Sequence, residues 1–196
     1  MKAASPLPRE FYLRSPAEVA ENLLGKILVR VIDGKRLSCR IVEAEAYYGP
    51  EDPASRARRG GDLKRTMFGD VGIALIYGIH RQWLLNVVAH EEGDPGAVLI
   101  RSGEPLDGVE LMKELRGVDD PHLLTSGPGR LTKAMCIDKS FHGKPVYVRD
   151  YGLWIEEGED ISSDLIAKSH RIGVSDDLPT PLRFYIRDNK YVSRRK

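Results

Sequence analysis

A β-hairpin signal in the first quarter of the 196-residue chain constrains its fold more than any other feature. Lys26 to Ile32 has the pattern of one strand, and Arg36 to Tyr47 has the pattern of a second. Between them, Asp33-Gly34 is a pair that favours a two-residue hairpin turn. Gly49-Pro50 then ends the second strand. We therefore expect two adjacent antiparallel strands, joined by a tight turn.

The rest of the chain combines short strands with a few helices. Helices are predicted from Ser15-Pro16 to Gly25, from Pro105 to about Arg116, and from Arg130 to Cys136. Further strands are predicted at 73–77, 83–88, 97–101, 145–148, 153–156, 166–172 and 182–186, with residues 78–82 at the tip of a second hairpin. Because strands and helices do not alternate regularly, a Rossmann or barrel enzyme is disfavoured. We expect one mixed α+β domain over residues 1–196.

Basic residues are concentrated in the segment from 50 to 70, although the net charge of the chain is only +1. This segment is rich in Gly, Arg and Asp, so a long loop is predicted, and such loops are usually functional or disordered. The tail from 194 to 196 is also basic. A solvated loop and tail are one interpretation, and a surface that contacts phosphates is the other. The basic side chains of the segment are Arg56, Arg58, Arg59, Lys64 and Arg65.

Cysteine usage and the lack of long apolar runs indicate the cellular setting. Cys39 and Cys136 both lie in apolar-patterned segments, so buried free thiols are expected rather than a disulfide framework. No apolar run approaches the roughly 20 residues that span a bilayer, and the first residues lack the apolar core of a signal peptide. We therefore expect a cytoplasmic protein without a membrane partner.

Two carboxylates interrupt the second strand of the hairpin. In an extended chain, Glu43, Glu45 and Tyr47 share one face. Buried carboxylates are costly unless something uses them, and a carboxylate roughly 6–7 Å along a strand from a ring suits a pocket that holds a flat ligand beside a base. Strand phase does not distinguish Glu43 from Glu45. Glu45 could instead be a surface carboxylate paired with Arg101.

Other common chemistries lack their sequence patterns. The five histidines show no metal-binding spacing, and the two cysteines are far apart, so no zinc site and no cofactor is expected. No phosphate-binding loop or nucleophile elbow is present. The run from Ser126 to Arg130 could place backbone amides and an Arg against a phosphate, or it could simply begin a helix. Carboxylate, arginine and aromatic chemistry remains.

The run from Arg40 to Asp52, Arg-Ile-Val-Glu-Ala-Glu-Ala-Tyr-Tyr-Gly-Pro-Glu-Asp, closely resembles a signature of the alkyladenine (3-methyladenine, methylpurine) DNA glycosylases. Further segments similar to the family follow in the expected order, so that the resemblance covers about Tyr12 to Ser193. They lie at 24–30, 53–55, 67–69, 85–88, 98–101, 104–108, 126–132, 171–173 and 181–187. The resemblance implies a compact α+β fold with a curved, mainly antiparallel sheet.

The resemblance also implies a function and residue roles. The family cleaves the bond between a damaged purine and its deoxyribose after flipping the nucleotide out of duplex DNA. Glu45 matches the general base that activates water, Arg101 helps to hold that water, and the carbonyl of Ile172 is a third water ligand. Tyr47 matches an aromatic wall for the flipped base, and Asn86 a polar group at the pocket floor. A monomer acting on double-stranded DNA, without metal or cofactor, is expected.

One departure from the family pattern concerns the wall opposite Tyr47. Arg56 stands where the resemblance leads us to expect a His that packs on the flipped base. A guanidinium can stack on a base but carries a fixed positive charge. The expected substrates are alkylated or deaminated purines such as 3-methyladenine, hypoxanthine and ethenoadenine, and Arg56 should favour neutral lesions such as hypoxanthine over cationic alkylated purines. A relative that recognises damaged DNA without cleaving it efficiently is the alternative function.

A second departure concerns the hairpin between 72 and 86. The family carries two tyrosines there, one in the pocket and one inserted as a wedge into the minor groove, whereas this chain has only Tyr77. Either Tyr77 is the wedge and Ala74 lies in the pocket, or Tyr77 lies in the pocket and His80 is the wedge. Ile79 also has a suitable apolar body. Contacts to the DNA backbone are expected from Arg58, Arg59, Lys64, Arg65 and Arg130.

Overall fold

The long hairpin organises the observed fold. The computed structural model describes residues 4–193, so the expectation for the basic tail lies outside the described residues. Strand β1 spans Ile27–Ile32 and pairs antiparallel with strand β2, Lys35–Tyr47. Asp33 and Gly34 form the turn with φ of 48° and 75°. Positive φ at both central residues is the geometry that matches the right-handed twist of the flanking strands, as the Asp-Gly pair predicts.

Strand β2 has three neighbours within one open, antiparallel sheet. The other strands are β3 Ala74–Ile79, β4 Gln82–Val88, β5 Ala97–Asp107, β6 Leu153–Glu156, β7 Ile166–Ser169 and β8 Arg183–Ile186. One edge of β2 pairs with β5 along most of its length, while the other edge pairs first with β1 and then with β8. Register shifts on either side of Glu43 bend β2 where its partners change. The sheet order is β3-β4-β5-β2-β1-β6, with β8 joining β2 to β7.

Four short helices flank this sheet, which confirms the predicted α+β class and a single compact domain for the described chain. Helix α1 begins as predicted, because Ser15 Oγ accepts a hydrogen bond from the amide of Glu18 and Pro16 occupies the first turn. One large cluster of buried apolar side chains connects the helices to the sheet. The helices are α1 Pro16–Asn22, α2 Gly61–Met67, α3 Val109–Arg116 and α4 Pro128–Ala134.

The prediction of one long loop from 50 to 70 is wrong. A 3-10 turn at Arg56–Arg59 and helix α2 occupy most of it, and Ala57 and Met67 join a second apolar cluster beneath the sheet. Gly60 and Gly61, with φ of 71° and 70°, made the stretch look irregular, but they form the junction at which α2 begins. The basic side chains are therefore held on ordered backbone.

Smaller differences concern element ends and one thiol. The helix predicted from Pro105 begins only at Val109, since Pro105 is still paired in β5 and Gly108 breaks the strand. Residues 145–148 form only an isolated bridge and not a strand. The second hairpin turns tightly at His80 and Arg81, with φ of 48° and 63°, instead of through a five-residue tip. Cys39 is buried as expected, whereas Cys136 is exposed.

Candidate active site

The two carboxylates of β2 have different surroundings, although both are fully buried. Glu43 is saturated with donors: its Oε1 accepts from Arg101 Nε at 3.0 Å, from Arg183 Nε at 2.7 Å and from Ser193 Oγ at 2.9 Å. Its Oε2 accepts from Ser102 Oγ at 3.0 Å and from the amide of Ser193 at 2.7 Å. Two carboxylate oxygens have about four lone-pair sites. The hydrogen-bonding capacity of the Glu43 carboxylate is thus fully used by protein donors.

Glu45 accepts three hydrogen bonds from different elements. Its Oε2 accepts from the hydroxyl of Tyr47 at 2.8 Å and from Arg101 Nη1 at 3.2 Å. Its Oε1 accepts from the amide of Ile172 at 2.7 Å. Among the described residues, Oε1 therefore has one hydrogen bond and can accept another. This capacity separates Glu45 from Glu43, which strand phase alone did not.

The pKa values of the two carboxyl groups move in opposite directions. Burial alone would raise the pKa of Glu43, but the charges of Arg101 and Arg183 and the Ser193 amide outweigh it and lower that pKa. Burial raises the pKa of Glu45, and Arg101 and the Ile172 amide offset this only partly, while the charge of Glu43 adds to it. The surroundings therefore favour the charged form of Glu43 and disfavour that of Glu45.

Arg101 connects the two carboxylates to the loop after β7. It projects from β5, and its Nη1 lies 3.2 Å from Glu45 Oε2 and 3.5 Å from the carbonyl oxygen of Ile172. Three predicted site residues from three distant parts of the chain thereby converge on one point. A carboxylate, a guanidinium and a carbonyl at that point supply both donors and acceptors for a small polar molecule.

A cavity of about 680 Å³ opens above this point. Tyr47, Arg101 and Ile172 line it, whereas the fully buried Glu45 is not part of the lining among the described residues. Arg56 and Tyr77 line another wall, with the guanidinium carbon 4.9 Å from the centre of the Tyr77 ring. A volume of this order accommodates a flat heterocycle with an attached sugar.

The second hairpin places Tyr77 in the cavity and His80 at the tip. Burial raises the pKa of the Tyr77 hydroxyl, while nearby Arg56 and Asn86 act in the opposite direction. Ile79 and the exposed His80 also line the cavity. This geometry favours Tyr77 as the pocket residue. Asn86 is buried, donates to the carbonyl of Leu75, and does not line the cavity among the described residues.

The predicted basic residues divide into two groups. Arg58 and Arg59 line the cavity, so positive charge reaches its rim. Lys64, Arg65 and Arg130 are exposed but lie outside the lining. Arg65 lies within 3.5 Å of Asp62, and Arg130 donates to Ser126 Oγ at 3.1 Å.

Sequence reasoning assigned no role to a second buried ion pair behind Tyr47. Arg171 donates to both oxygens of Asp52 at 2.6 and 2.7 Å, and both side chains are completely buried. The guanidinium carbon of Arg171 lies 4.5 Å from the centre of the Tyr47 ring. It also donates to Asp177 and to the carbonyl of Ala46. Asp52 and Arg171 both lie in segments that carry the family resemblance, and this resemblance was the sequence signal that could have identified the pair.

The described residues contain no group of three or more metal-ligating side chains and no helix that could cross a membrane. The cavity thus combines an arginine next to a buried carboxylate with the aromatic rings of Tyr47 and Tyr77 and further arginines in its lining.

Comparison with known proteins identifies the class. The family model described as methylpurine-DNA glycosylase matches residues 10–190, and the chain belongs to that family, whose members are hydrolases that act on DNA. The chain is 50% identical over 190 residues to an Aeropyrum pernix protein named "Putative 3-methyladenine DNA glycosylase", covering 96% of this chain and 93% of the relative. Relatives of the same name from Chlorobium phaeobacteroides and Methanocella arvoryzae are 41% and 42% identical, each with 96% of both chains covered.

Proposed function

We propose that this chain is a base-excision-repair DNA glycosylase that flips a damaged purine out of duplex DNA and hydrolyses its N-glycosidic bond with a water activated by Glu45. The observation that carries the proposal is the convergence of the Glu45 carboxylate, the Arg101 guanidinium and the Ile172 carbonyl beneath the cavity. Arg101 Nη1 lies 3.2 Å from Glu45 Oε2 and 3.5 Å from the Ile172 carbonyl oxygen, so a water bound at this point would have a carboxylate, a guanidinium and a carbonyl within reach.

The proposed step is a displacement at C1′ of the flipped nucleotide. The water oxygen forms a bond to C1′ while the C1′–N bond breaks and its electron pair leaves with the base. The proton of the water passes to Glu45, whose free acceptor position on Oε1 is available for it. The same negative charge stabilises the electron-poor sugar of the transition state. Arg101 and the Ile172 carbonyl orient the water.

The walls of the cavity support recognition of a flipped base. Tyr47 and the Arg56–Tyr77 pair provide planar groups on which a purine can stack, worth roughly 1–3 kcal/mol by analogy with single-stranded bases. His80, at the tip of the second hairpin, is the proposed side chain that fills the gap left by the flipped nucleotide. The described lining contains no lysine, which supports a monofunctional enzyme acting without a Schiff base. Duplex DNA is the proposed partner, bound by a monomer.

The substrate preference rests on the charge of Arg56. Its guanidinium lines the cavity and stacks on Tyr77, so a cationic base would meet a fixed like charge there. Neutral lesions, such as hypoxanthine and 1,N6-ethenoadenine, are therefore the preferred substrates. Replacing Arg56 by Gln should raise the rate for 7-methylguanine relative to hypoxanthine by about tenfold. Similar rates for both lesions in the unmodified protein would contradict this preference.

Glu45→Gln tests the reaction itself. Duplexes carrying hypoxanthine, ethenoadenine or 3-methyladenine are incubated with excess protein, and hot alkali then reveals abasic sites. We expect the single-turnover rate to fall by at least about a hundredfold, since a neutral amide cannot accept the proton, while lesion binding is retained. Glu51→Gln is the matched control, because Glu51 is exposed and does not line the cavity. Unchanged cleavage in Glu45→Gln would refute the mechanism.

A second candidate is a damage-binding relative with weak cleavage. The observation in its favour is that the fully buried Glu45 does not line the cavity among the described residues, whereas Tyr47, whose hydroxyl donates to Glu45 Oε2 at 2.8 Å, does. Binding of lesion duplexes by the unmodified protein, with no alkali-labile site for any lesion, would favour this alternative over the glycosylase.

A further inference from the structure

Ser193 is held at the back of the catalytic cluster, although it is 150 positions from Glu43 and 92 from Arg101 in sequence. Its amide donates to Glu43 Oε2 at 2.7 Å, and its hydroxyl donates to Glu43 Oε1 at 2.9 Å. The same hydroxyl oxygen accepts from Arg101 Nη2 at 3.3 Å. The last residue that the structure describes is thus tied to the catalytic machinery by three hydrogen bonds.

These contacts complete the restraint of Arg101. Its Nε is held by Glu43, its Nη1 by Glu45 and the Ile172 carbonyl, and its Nη2 by Ser193. A planar guanidinium contacted at all three nitrogens cannot rotate about its Cδ–Nε bond without losing a charge-assisted hydrogen bond. Arg101 is itself nearly buried, with 6% of its surface exposed, so solvent does not replace a lost partner.

We propose that Ser193 is a positioning residue, which acts through Arg101 and Glu43 and makes the catalytic geometry depend on the C-terminal segment. The inference rests on the proposed glycosylase function of the same site. Ser193 does not line the cavity among the described residues, so it has no part in touching substrate. Its hydroxyl, which donates to one partner and accepts from the other, fixes the spacing between the Glu43 carboxylate and the water-binding guanidinium.

The hydrogen bond from Arg101 to the hydroxyl of Ser193 distinguishes Ser193 from a residue that only donates to Glu43. Ser102 Oγ donates to Glu43 Oε2 at 3.0 Å, much as Ser193 Oγ donates to Oε1. Among the described contacts of Ser102, however, its side chain has no hydrogen bond to Arg101. Ser102→Ala therefore removes one donor from Glu43 while leaving the third restraint on Arg101 in place, and it serves as a matched comparison.

Four variants test the proposal: Ser193→Ala, Ser193→Val, Ser193→Thr and Ser102→Ala. We expect the single-turnover rate at saturating protein to fall by about tenfold in Ser193→Ala and Ser193→Val, because a buried charged donor loses its acceptor. Ser193→Thr, which keeps the hydroxyl and has nearly the same shape as Val, should restore the rate to within about threefold. The fold reduction of the single-turnover rate in Ser102→Ala should be less than about a third of the fold reduction in Ser193→Ala. The dissociation constant for lesion DNA should stay unchanged in all four.

A second measurement does not depend on cleavage. In ¹⁵N NMR spectra of the folded protein, restrained rotation about Cζ–Nη2 gives Arg101 separate, slowly exchanging Nη2 proton signals. We expect these signals in the unmodified protein and in Ser193→Thr, and their loss in Ser193→Ala. Equal rates for Ser193→Ala and the unmodified protein, or equal losses for Ser193→Ala and Ser102→Ala, would overturn the proposal. If the unmodified protein cleaves no lesion, the glycosylase assignment fails, and the NMR signals still decide whether Ser193 positions Arg101.

Discussion

Replacing Arg171 by Met removes the buried cation behind Tyr47 and isolates the carboxylate of Asp52. Both side chains of this pair are completely buried, and the two direct bonds measure 2.6 and 2.7 Å. Breaking such a pair by removing one partner costs about 3–5 kcal/mol, mostly because the remaining charge stays buried without compensation. Asp52 keeps the amides of Tyr48 and Ala54 as donors, so the lower half of that range is expected.

Urea unfolding followed by fluorescence and circular dichroism measures this loss of unfolding free energy. The double variant Arg171→Met, Asp52→Asn provides the control, since it removes the charge stranded on Asp52. Asp177, the other carboxylate that Arg171 contacts, keeps the backbone amides at positions 171 and 178 as donors in both variants. It should recover more than half of the stability that Arg171→Met alone loses. A loss below about 1 kcal/mol in the single variant would refute the reasoning, because a pair with such a small effect is typical of exposed ions.

The same variant has a defined pH dependence. In the unmodified protein, burial alone would raise the pKa of Asp52, but the hydrogen bonds and charge of Arg171 outweigh this and lower it. Asp52 therefore contributes stability above its unfolded pKa, about 3.9, and this is lost as the pH falls through the lower folded pKa. Without Arg171, burial raises the folded pKa instead, so the charged form is penalised at neutral pH and the penalty disappears in acid. The difference in stability between the two proteins should shrink as the pH falls below 5.

Three further predictions concern the reaction, DNA binding and the fold. The rate of base release should rise with pH through a value above 4.5, the ordinary pKa of a glutamate, because burial raises the pKa of Glu45 and its protonated form cannot act as a base. A pH–rate profile with its acid limb at or below 4.5 would contradict this. Arg58→Ala and Arg59→Ala should each reduce the slope of log affinity against log salt by about 0.9 if each arginine contacts one phosphate, as measured by fluorescence anisotropy with undamaged duplex; an unchanged slope would exclude such contacts. Gly72→Ala should lower the unfolding free energy by about 2–4 kcal/mol, since φ is +71° and a Cβ would lie 2.6 Å from Tyr147 and 2.9 Å from Tyr12; urea unfolding with a loss under 1 kcal/mol would show that the backbone relaxes.

Local signals predicted the elements whose ends are set by short-range chemistry. The Asp33-Gly34 turn and the cap of α1 at Ser15 were identified correctly, because positive φ and an orphan amide are satisfied by residues next to each other in sequence. The helix within the segment from 50 to 70 was not predicted, because α2 has only 7 residues and its apolar periodicity is too weak to indicate a helix. Its stability comes from packing Met67 against the sheet, which is a tertiary effect.

The candidate site divides in the same way. The sequence by itself determined the family, through motif order along nearly the whole chain, and it put Glu43, Glu45 and Tyr47 on one face of a strand. Only the tertiary structure distinguished the surroundings of the two carboxylates, because their donors come from β5, β8 and the loop at Ile172. Their charges act through space over a few ångströms, and positions far apart in the chain become neighbours only when the sheet forms. For the same reason, the contacts of Ser193 with Glu43 and Arg101 could be recognised only from the tertiary structure.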